Sequence, residues 1–374
     1  MTAIAFPILL LLVLVMGEML LLNREGRERI DWHDVAFNLN SGHLILWLFR
    51  SLEIAVYGFV LERFSFGWLS DWPQWALWLF ALLAWDFLFY WLHRLHHKFA
   101  MLWAIHVVHH EGEHFNLSLA VRNSWYSSLA SIPFFLPMAL LGVPLEHFIT
   151  VSILHYGIQL MNHSALTPHL GFLEKILVTP EHHRIHHVAD RAWSDRNYAG
   201  SFVIWDKIFG TYRADLPEGD FAYGVKGAKP SLNPALANNL PFLRFVLHLK
   251  PPAPRAPQYA AHGLMVMAGT LLIFALVTGY IWHFGYDQAM TNSPQLRLFG
   301  LLALGAVALG AISEGRLWAL VLWFWIAVAL LVEAVVMGRS LPWQFCAVLL
   351  LVHSVVLLLG VGRRPSAAKE SGLP

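Results

Sequence analysis

Residues 86–110 read DFLFYWLHRLHHKFAMLWAIHVVHH, an apolar run leading straight into two histidine clusters. A third cluster, HHRIHH, occupies residues 182–187. On a helix, residues three and four apart share a face. The patterns His93/His97, His106/His109/His110 and His183/His186/His187 therefore each aim two or three imidazoles in one direction. Imidazole suits iron, zinc and copper. Fifteen of the 21 histidines lie between His93 and His187. Three clusters so close together, each beside an apolar span, predict a polynuclear metal site at a membrane surface. The bland alternative is a pH-responsive, histidine-rich surface, but solubility does not call for such regular spacing.

Composition agrees with a membrane setting. The chain is 57% hydrophobic and 13% charged, against roughly 25% charged in a soluble domain. Its 17 tryptophans and 25 phenylalanines suit lipid interfaces. A net charge of +1 with no long basic run argues against nucleic acid as a partner. The single cysteine, Cys346, sits in an apolar stretch, which excludes an internal disulfide framework and a thiolate-rich metal site. Any metal here binds nitrogen and oxygen.

A span needs about 20 mostly apolar residues. Nine candidates fall at 4–22, 43–61, 72–91, 125–141, 145–163, 260–282, 296–311, 318–337 and 343–361. The first reads as a span rather than a signal peptide: no Lys or Arg precedes it and no small-residue cleavage site follows. Only Gly142, Val143 and Pro144 separate the fourth and fifth, so these form a hairpin, bent by Pro133 and Pro137. Its inner face is expected to wall an acyl or alkyl chain. Arg24, Arg27 and Arg29 after the first span place the amino terminus outside. Nine crossings then put all three histidine clusters, residues 164–259 and the tail with Arg363, Arg364 and Lys369 in the cytosol.

The expected fold is an all-α integral membrane protein of about nine transmembrane helices with a cytosolic, histidine-rich helical cap. Residues 1–85 hold the first spans, and 86–215 form a histidine-box core that includes the hairpin 125–163. Residues 216–259 complete the cap, 260–362 make a carboxy-terminal membrane module, and 363–374 are a cytosolic tail. A bacterial inner membrane and the endoplasmic reticulum both fit.

His163 ends the fifth span, with Gln159 one turn before it and His155 two turns deeper. His96 is rotated off the His93/His97 face, and His182 is additional to the third cluster. Asp86, two turns before His93, either accepts a hydrogen bond from a histidine and fixes its tautomer or pairs with Arg94. His33, His43, His114, His147, His169, His248, His262, His283 and His353 read as structural.

The strings DFLFYWLHRLHHKFAMLWAIHVVHHEGEHFNLSLAVRNS and TPEHHRIHHVADRAWSDRNYAGSFVIWDKIFGTYR resemble the fatty acid hydroxylase/sterol desaturase superfamily, and within it the alkylglycerol monooxygenase subgroup. The resemblance covers about residues 86–213. It implies a non-haem di-iron monooxygenase that takes a lipid and O₂, with zinc able to replace iron in purified samples. The implied ligands are His93, His97, His106, His109, His110, His163, His183, His186 and His187. His96, His182, Gln159, His155 and Asp86 would be further ligands or groups just behind them. Glu113 and Asn116 match positions that order the site or touch substrate, followed by Arg122. An ether-lipid substrate would collapse to an aldehyde and an alcohol after hydroxylation.

No HPGG string, flavin site or GxGxxG loop is present. Electrons must come from a separate protein or a diffusible reductant, and the subgroup implies tetrahydrobiopterin. Sterol, carotenoid or fatty-acyl hydroxylation, or desaturation, would use the same metal core. A histidine-rich metal or proton transporter is the alternative of a different class. Transport sites, however, usually lie near the midplane in broken helices, whereas these clusters lie at span ends and in loops.

Overall fold

The computed structural model describes residues 5–26, 29–227, 229–285 and 293–365. In chain order the helices begin with α1 (Ala5–Arg24), α2 (Trp32–Asn40), α3 (His43–Phe64) and α4 (Gln74–His96). Next come α5 (Ala100–His110), α6 (Leu117–Val121), α7 (Ser127–Leu141) and α8 (Leu145–Met161). A polar region holds α9 (Pro180–His187), α10 (Arg191–Ser194), α11 (Ile204–Ile208) and α12 (Pro234–Pro241). The chain continues through α13 (Gly263–Phe284), α14 (Ser293–Ser313), α15 (Leu317–Val336) and α16 (Leu341–Leu358). Two two-residue strands, Ala260–Ala261 and Arg363–Arg364, pair antiparallel. The chain is an all-helical, multi-pass membrane protein, as its composition predicts.

Seven helices among the described residues are long and apolar enough to cross a bilayer, against nine expected. The difference is the hairpin. Its arms α7 and α8 have 15 and 17 residues, about 22 and 26 Å at 1.5 Å per residue, short of a hydrocarbon core of about 30 Å. A hairpin of two short arms returns the chain to the face it left, so the clusters before and after it still share one face.

Local chemistry explains the turn. Pro133 and Pro137 lie inside α7 and remove two backbone donors. Gly142 ends it at φ +99°, and the Val143 N–H reaches back to the Met138 carbonyl (3.0 Å), as in a Schellman cap. A Cβ at Gly142 would also lie 3.1 Å from Ser65 Oγ, so glycine is needed twice over.

The chain divides into two compact units. One comprises Met1–Trp47, Pro230–Arg244 and Leu249–Pro374. In it α2 packs on α13 and α14, α1 on α13 and α12 on α14, while α13 to α16 pack on one another. Two of the histidines read as structural, the half-buried His33 and the buried His353, make hydrogen bonds here. His33 bonds Ser313 Oγ (2.7 Å), and His353 accepts from Trp323 Nε1 (3.1 Å) while donating to the Met265 carbonyl (2.9 Å). Because α2 lies on α13, the first helices group with the carboxy-terminal ones, a pairing the segments expected from sequence did not contain.

The other unit, Leu48–Lys229 and Phe245–His248, carries every histidine cluster. Here α4 packs on α5, α7 and α8, and α6 on α8. Stacked rings seal the hairpin against α3 and α4: Tyr57 on Phe148 and Trp85 on Phe135, with centroids 3.9 Å apart in each pair. Inside this packing Arg50 pairs with Glu53 and donates to Ser152 Oγ (2.6 Å). Ser131 on α7 donates to Glu53 (2.7 Å).

Candidate metal centre

Four elements bring the histidines together. The end of α4 supplies His93 and the following His97. After a short turn α5 supplies His106, His109 and His110, the end of α8 leads to His163, and α9 supplies His183, His186 and His187. All nine residues implied as ligands converge, in two groups. His93, His97, His106, His110 and His186 form the first, and His109, His163, His183 and His187 the second; within each, the ligand atoms lie within 4.8 Å of one another. The groups adjoin: the His110 and His187 rings stack with centroids 4.6 Å apart.

The two HxxHH boxes are crossed. From α5, His106 and His110 face the first group and His109 the second; from α9, His183 and His187 face the second and His186 the first. Positions i and i+4 share a helix face, while the residue beside them is rotated to its edge.

Backbone carbonyls fix the ring tautomers. The Nδ1–H of His93 donates to the Tyr198 carbonyl (2.8 Å), that of His109 to Arg122 (3.1 Å), that of His163 to Gln159 (2.8 Å) and that of His186 to Arg196 (2.8 Å). Each neutral ring then keeps a lone pair on Nε2. Nε2 of His163 lies 3.2 Å from that of His109 and 3.0 Å from that of His183, and Nε2 of His106 and His110 are 3.2 Å apart. Nε2 of His93, His97 and His186 is buried with no hydrogen-bond partner. Lone pairs facing one another repel unless a cation lies between them. Ligands at right angles on a metal, with bonds of about 2.0–2.1 Å, are about 3 Å apart. The donor set fits two metal ions.

Burial, reinforced by neighbouring imidazoles, pushes His106, His109, His110, His183, His186 and His187 well below the usual imidazole range. Burial alone lowers His163 to about 4. Neutral imidazole is the form that binds metal. The sign of the pH effect follows. The unfolded chain takes up protons near pH 6.5, whereas folding holds His163 neutral down to about pH 4 and keeps the other six well below the usual range, so stability falls as pH drops below about 6.5. Metal-stripped protein should show a falling unfolding temperature from about pH 6.5 to 4, and the loaded protein should release metal there. A flat profile for the stripped protein would contradict the buried, neutral cluster.

His97 has a carboxylate instead of a carbonyl behind it: Asp195 lies 3.4 Å from Nδ1 and also binds Lys98 (2.8 Å). Burial alone would raise the Asp195 carboxyl, but His97 and Lys98 hold it well below the usual range. Asp195→Ala should weaken metal binding about 10–100-fold, read by chelator competition; unchanged affinity would leave Asp195 a surface ion pair only.

The other expected site residues lie apart from both groups. His96 is buried and its ring stacks on His106 (5.0 Å). His182 serves the start of α9, where Nδ1 accepts from the Thr179 N–H (3.3 Å) and Nε2 meets the Tyr212 hydroxyl (3.3 Å). Burial lowers it to about 4. Gln159 acts through its carbonyl on His163. Asp86 does not pair with Arg94, which donates to the Tyr90 hydroxyl (2.9 Å). It accepts from Ser201 N (2.8 Å), Phe202 N (3.1 Å) and Trp205 Nε1 (2.9 Å). The histidine beside it is His155, 3.4 Å away, whose Nδ1 also meets Ser201 Oγ (3.1 Å). Glu113 is exposed, and Asn116 caps α6 by accepting from Ser118 N (3.0 Å), so the geometry brings neither into the groups.

Sequence reasoning missed Tyr198, Arg196 and Asp195, which stand behind ligands. It also missed Asp206, which holds Tyr198 N (2.8 Å), Ala199 N (2.9 Å) and Thr211 Oγ1 (2.7 Å). Asp86 and Asp206 thus clamp the two ends of the loop whose Tyr198 carbonyl orients His93. The only signal for Asp195, Arg196, Tyr198 and Asp206 was their place in the string quoted at residues 179–213.

Fold and site together define a membrane protein with a buried, paired histidine centre. Residues 78–211 match the fatty acid hydroxylase family. The match covers about a third of the chain. It is 38% identical over 221 residues to alkylglycerol monooxygenase of Danio rerio, covering 58% of this chain and 48% of the relative. To the Homo sapiens alkylglycerol monooxygenase it is 40% identical over 170 residues, 45% of this chain and 37% of the relative. To the ornithine lipid hydroxylase of Rhizobium tropici it is 31% identical over 168 residues, 45% and 51% respectively. The chain thus spans about half or less of the curated relatives it matches. No solved structure matches it.

Proposed function

We propose that the chain is a membrane-bound, non-haem di-iron monooxygenase that hydroxylates a C–H bond of a lipid with O₂. The observation that carries this reading is the division of nine histidines into groups of five and four, with four Nδ1–H groups committed to carbonyls. Two irons held by neutral imidazoles would supply O₂ activation and hydrogen abstraction. Zinc, above ferrous iron in intrinsic affinity, would replace iron in overexpressed samples.

The protein's own part is to hold, orient and keep dry. Nine rings from four elements hold the ions, and the carbonyls of Tyr198, Arg122, Gln159 and Arg196 keep Nε2 deprotonated. Trp103 lies against His97 and His110, with centroids 5.1 and 5.6 Å away, and Phe115 stacks on His163 at 5.6 Å. These rings exclude water from both groups. The site adjoins the end of a membrane span, where a lipid carbon can reach it and a water-soluble substrate gains nothing.

The likeness to alkylglycerol monooxygenases makes a glycerol ether the first substrate to test, with tetrahydrobiopterin or an electron-transfer protein as reductant. The positive-inside pattern favours a cytosolic centre, in a bacterial inner membrane or the endoplasmic reticulum. Transport fits less well, because conduction needs weak, releasing sites and nine buried donors make firm ones.

Iron-loaded protein in lipid nanodiscs with a reductant and ¹⁸O₂ should place one labelled oxygen atom in a glycerol ether, fatty acyl lipid or sterol. Oxygen derived from water, or a desaturated product without label, would overturn hydroxylation. An unaltered lipid pool with transmembrane metal flux would favour the transporter.

A further inference from the structure

Six large apolar side chains in the polar region between α8 and α12 face outward: Leu170, Phe172, Leu173, Ile176, Ile204 and Ile208, with exposures from 37% to 68%. They come from two segments, the 3₁₀ turn Gly171–Lys175 with its flanks and the short helix α11. The backbone joins these into one piece. Val178 N–H donates to the Ser201 carbonyl (2.8 Å), Val203 N–H to the Ile176 carbonyl (3.0 Å), and Lys207 Nζ to the Lys175 carbonyl (2.9 Å). The six side chains therefore belong to one platform, which a membrane-external cap would leave wet.

Its height along α4 is fixed by side-chain contacts. Trp205 packs on Phe87 (centroids 5.1 Å apart) and donates to Asp86; Phe209 packs on Trp91 (5.0 Å) and stacks on Tyr90 (5.2 Å). Asp86 precedes the end of α4 at His96 by ten residues, about 15 Å along the helix. Trp205 of α11 and Phe209, the residue that follows it, thus lie on a membrane span well below its end. The adjoining stripe, Ile204 and Ile208, points away from the protein at the same depth.

We infer that Leu170–Ile176 and Ile204–Ile208 form a membrane-inserted platform, seated in the acyl and headgroup boundary of the bilayer beside α4. A contiguous exposed apolar patch needs a partner surface, and continuity with the span makes lipid that partner. Lys175 and Lys207 are exposed on the same piece, where long side chains reach lipid phosphates while their stems stay in apolar surroundings. The platform is continuous with the loop held by Asp86 and Asp206, so the segment that orients His93 is anchored in the membrane. The inference holds whichever metal or lipid the centre uses.

The test is label accessibility in the full chain. With Cys346→Ala as background, single spin labels are placed at Phe172→Cys and Ile208→Cys, in nanodiscs of phosphatidylcholine with phosphatidylglycerol. Leu79→Cys, exposed on α4, serves as the lipid-facing reference and Asp190→Cys as the aqueous one. Labels at 172 and 208 should follow Leu79: strong relaxation by dissolved oxygen and several-fold weaker relaxation by a water-soluble nickel chelate. Labels that follow Asp190 overturn the platform, including the case in which a protein partner would cover the patch. Metal content of each labelled chain is measured alongside, so a failed platform and a failed metal centre give different results.

Discussion

His97→Ala, purified at saturating metal, should carry about one metal ion per chain where the parent carries about two. His97 belongs only to the group of five, and His183 only to the group of four, so His183→Ala should empty the other site. Either change should lower turnover by more than the 10–100-fold typical of groups that merely orient a ligand. His182→Ala is the control: its ring caps α9 outside both groups, so it should lose about 1 kcal/mol of stability and keep both ions. Elemental analysis showing two ions in His97→Ala or His183→Ala would refute the two-group assignment.

The second large effect lies away from any ligand. Asp86 is fully buried and takes hydrogen bonds from Ser201 N, Phe202 N and Trp205 Nε1. Asp86→Ala strands one buried donor, Ser201 N, and two part-buried ones; a buried unsatisfied donor costs about 1–3 kcal/mol, so a loss of about 2–4 kcal/mol is expected. Asp86→Asn keeps one acceptor oxygen and should lose less. Thermal unfolding in detergent reads the effect, and the loop's freedom should also weaken the site containing His93. A variant with unchanged melting temperature and full metal content would show that Asp86 is not the clamp described.

The histidine set was legible because it depends on side-chain identity and helical spacing, both visible in a single sequence. Its partition was not. Whether His109 faces the same ion as His110 depends on how α5 and α9 cross, which no local pattern records. The residues behind the ligands were harder still. Tyr198, Arg122, Gln159 and Arg196 act through carbonyls, which every residue carries, so no side chain advertises the role. Asp86 was noticed, but its partners lie more than a hundred residues ahead, and Arg94 was merely near in sequence. The spans were legible from hydropathy, but the expected hairpin arms, 125–141 and 145–163, overrun the helices, which begin at Ser127 and end at Met161. Hydropathy measures burial in oil; it does not see where a helix stops. Glu113 and Asn116 were placed by likeness alone, and local geometry gives them other surroundings.

The crossing of the two boxes bears on how the protein is assembled. Each of α5 and α9 must be ordered before either ion is fully held, and each ion orders both helices. The first ion to arrive therefore meets the whole cost of freezing the cluster, and the second finds its ligands already placed. Loading should then run as one transition under limiting metal, with chains empty or doubly filled and few in between. If the centre is the di-iron site proposed above, a half-filled one, able to meet oxygen without its partner ion, would rarely exist in the membrane.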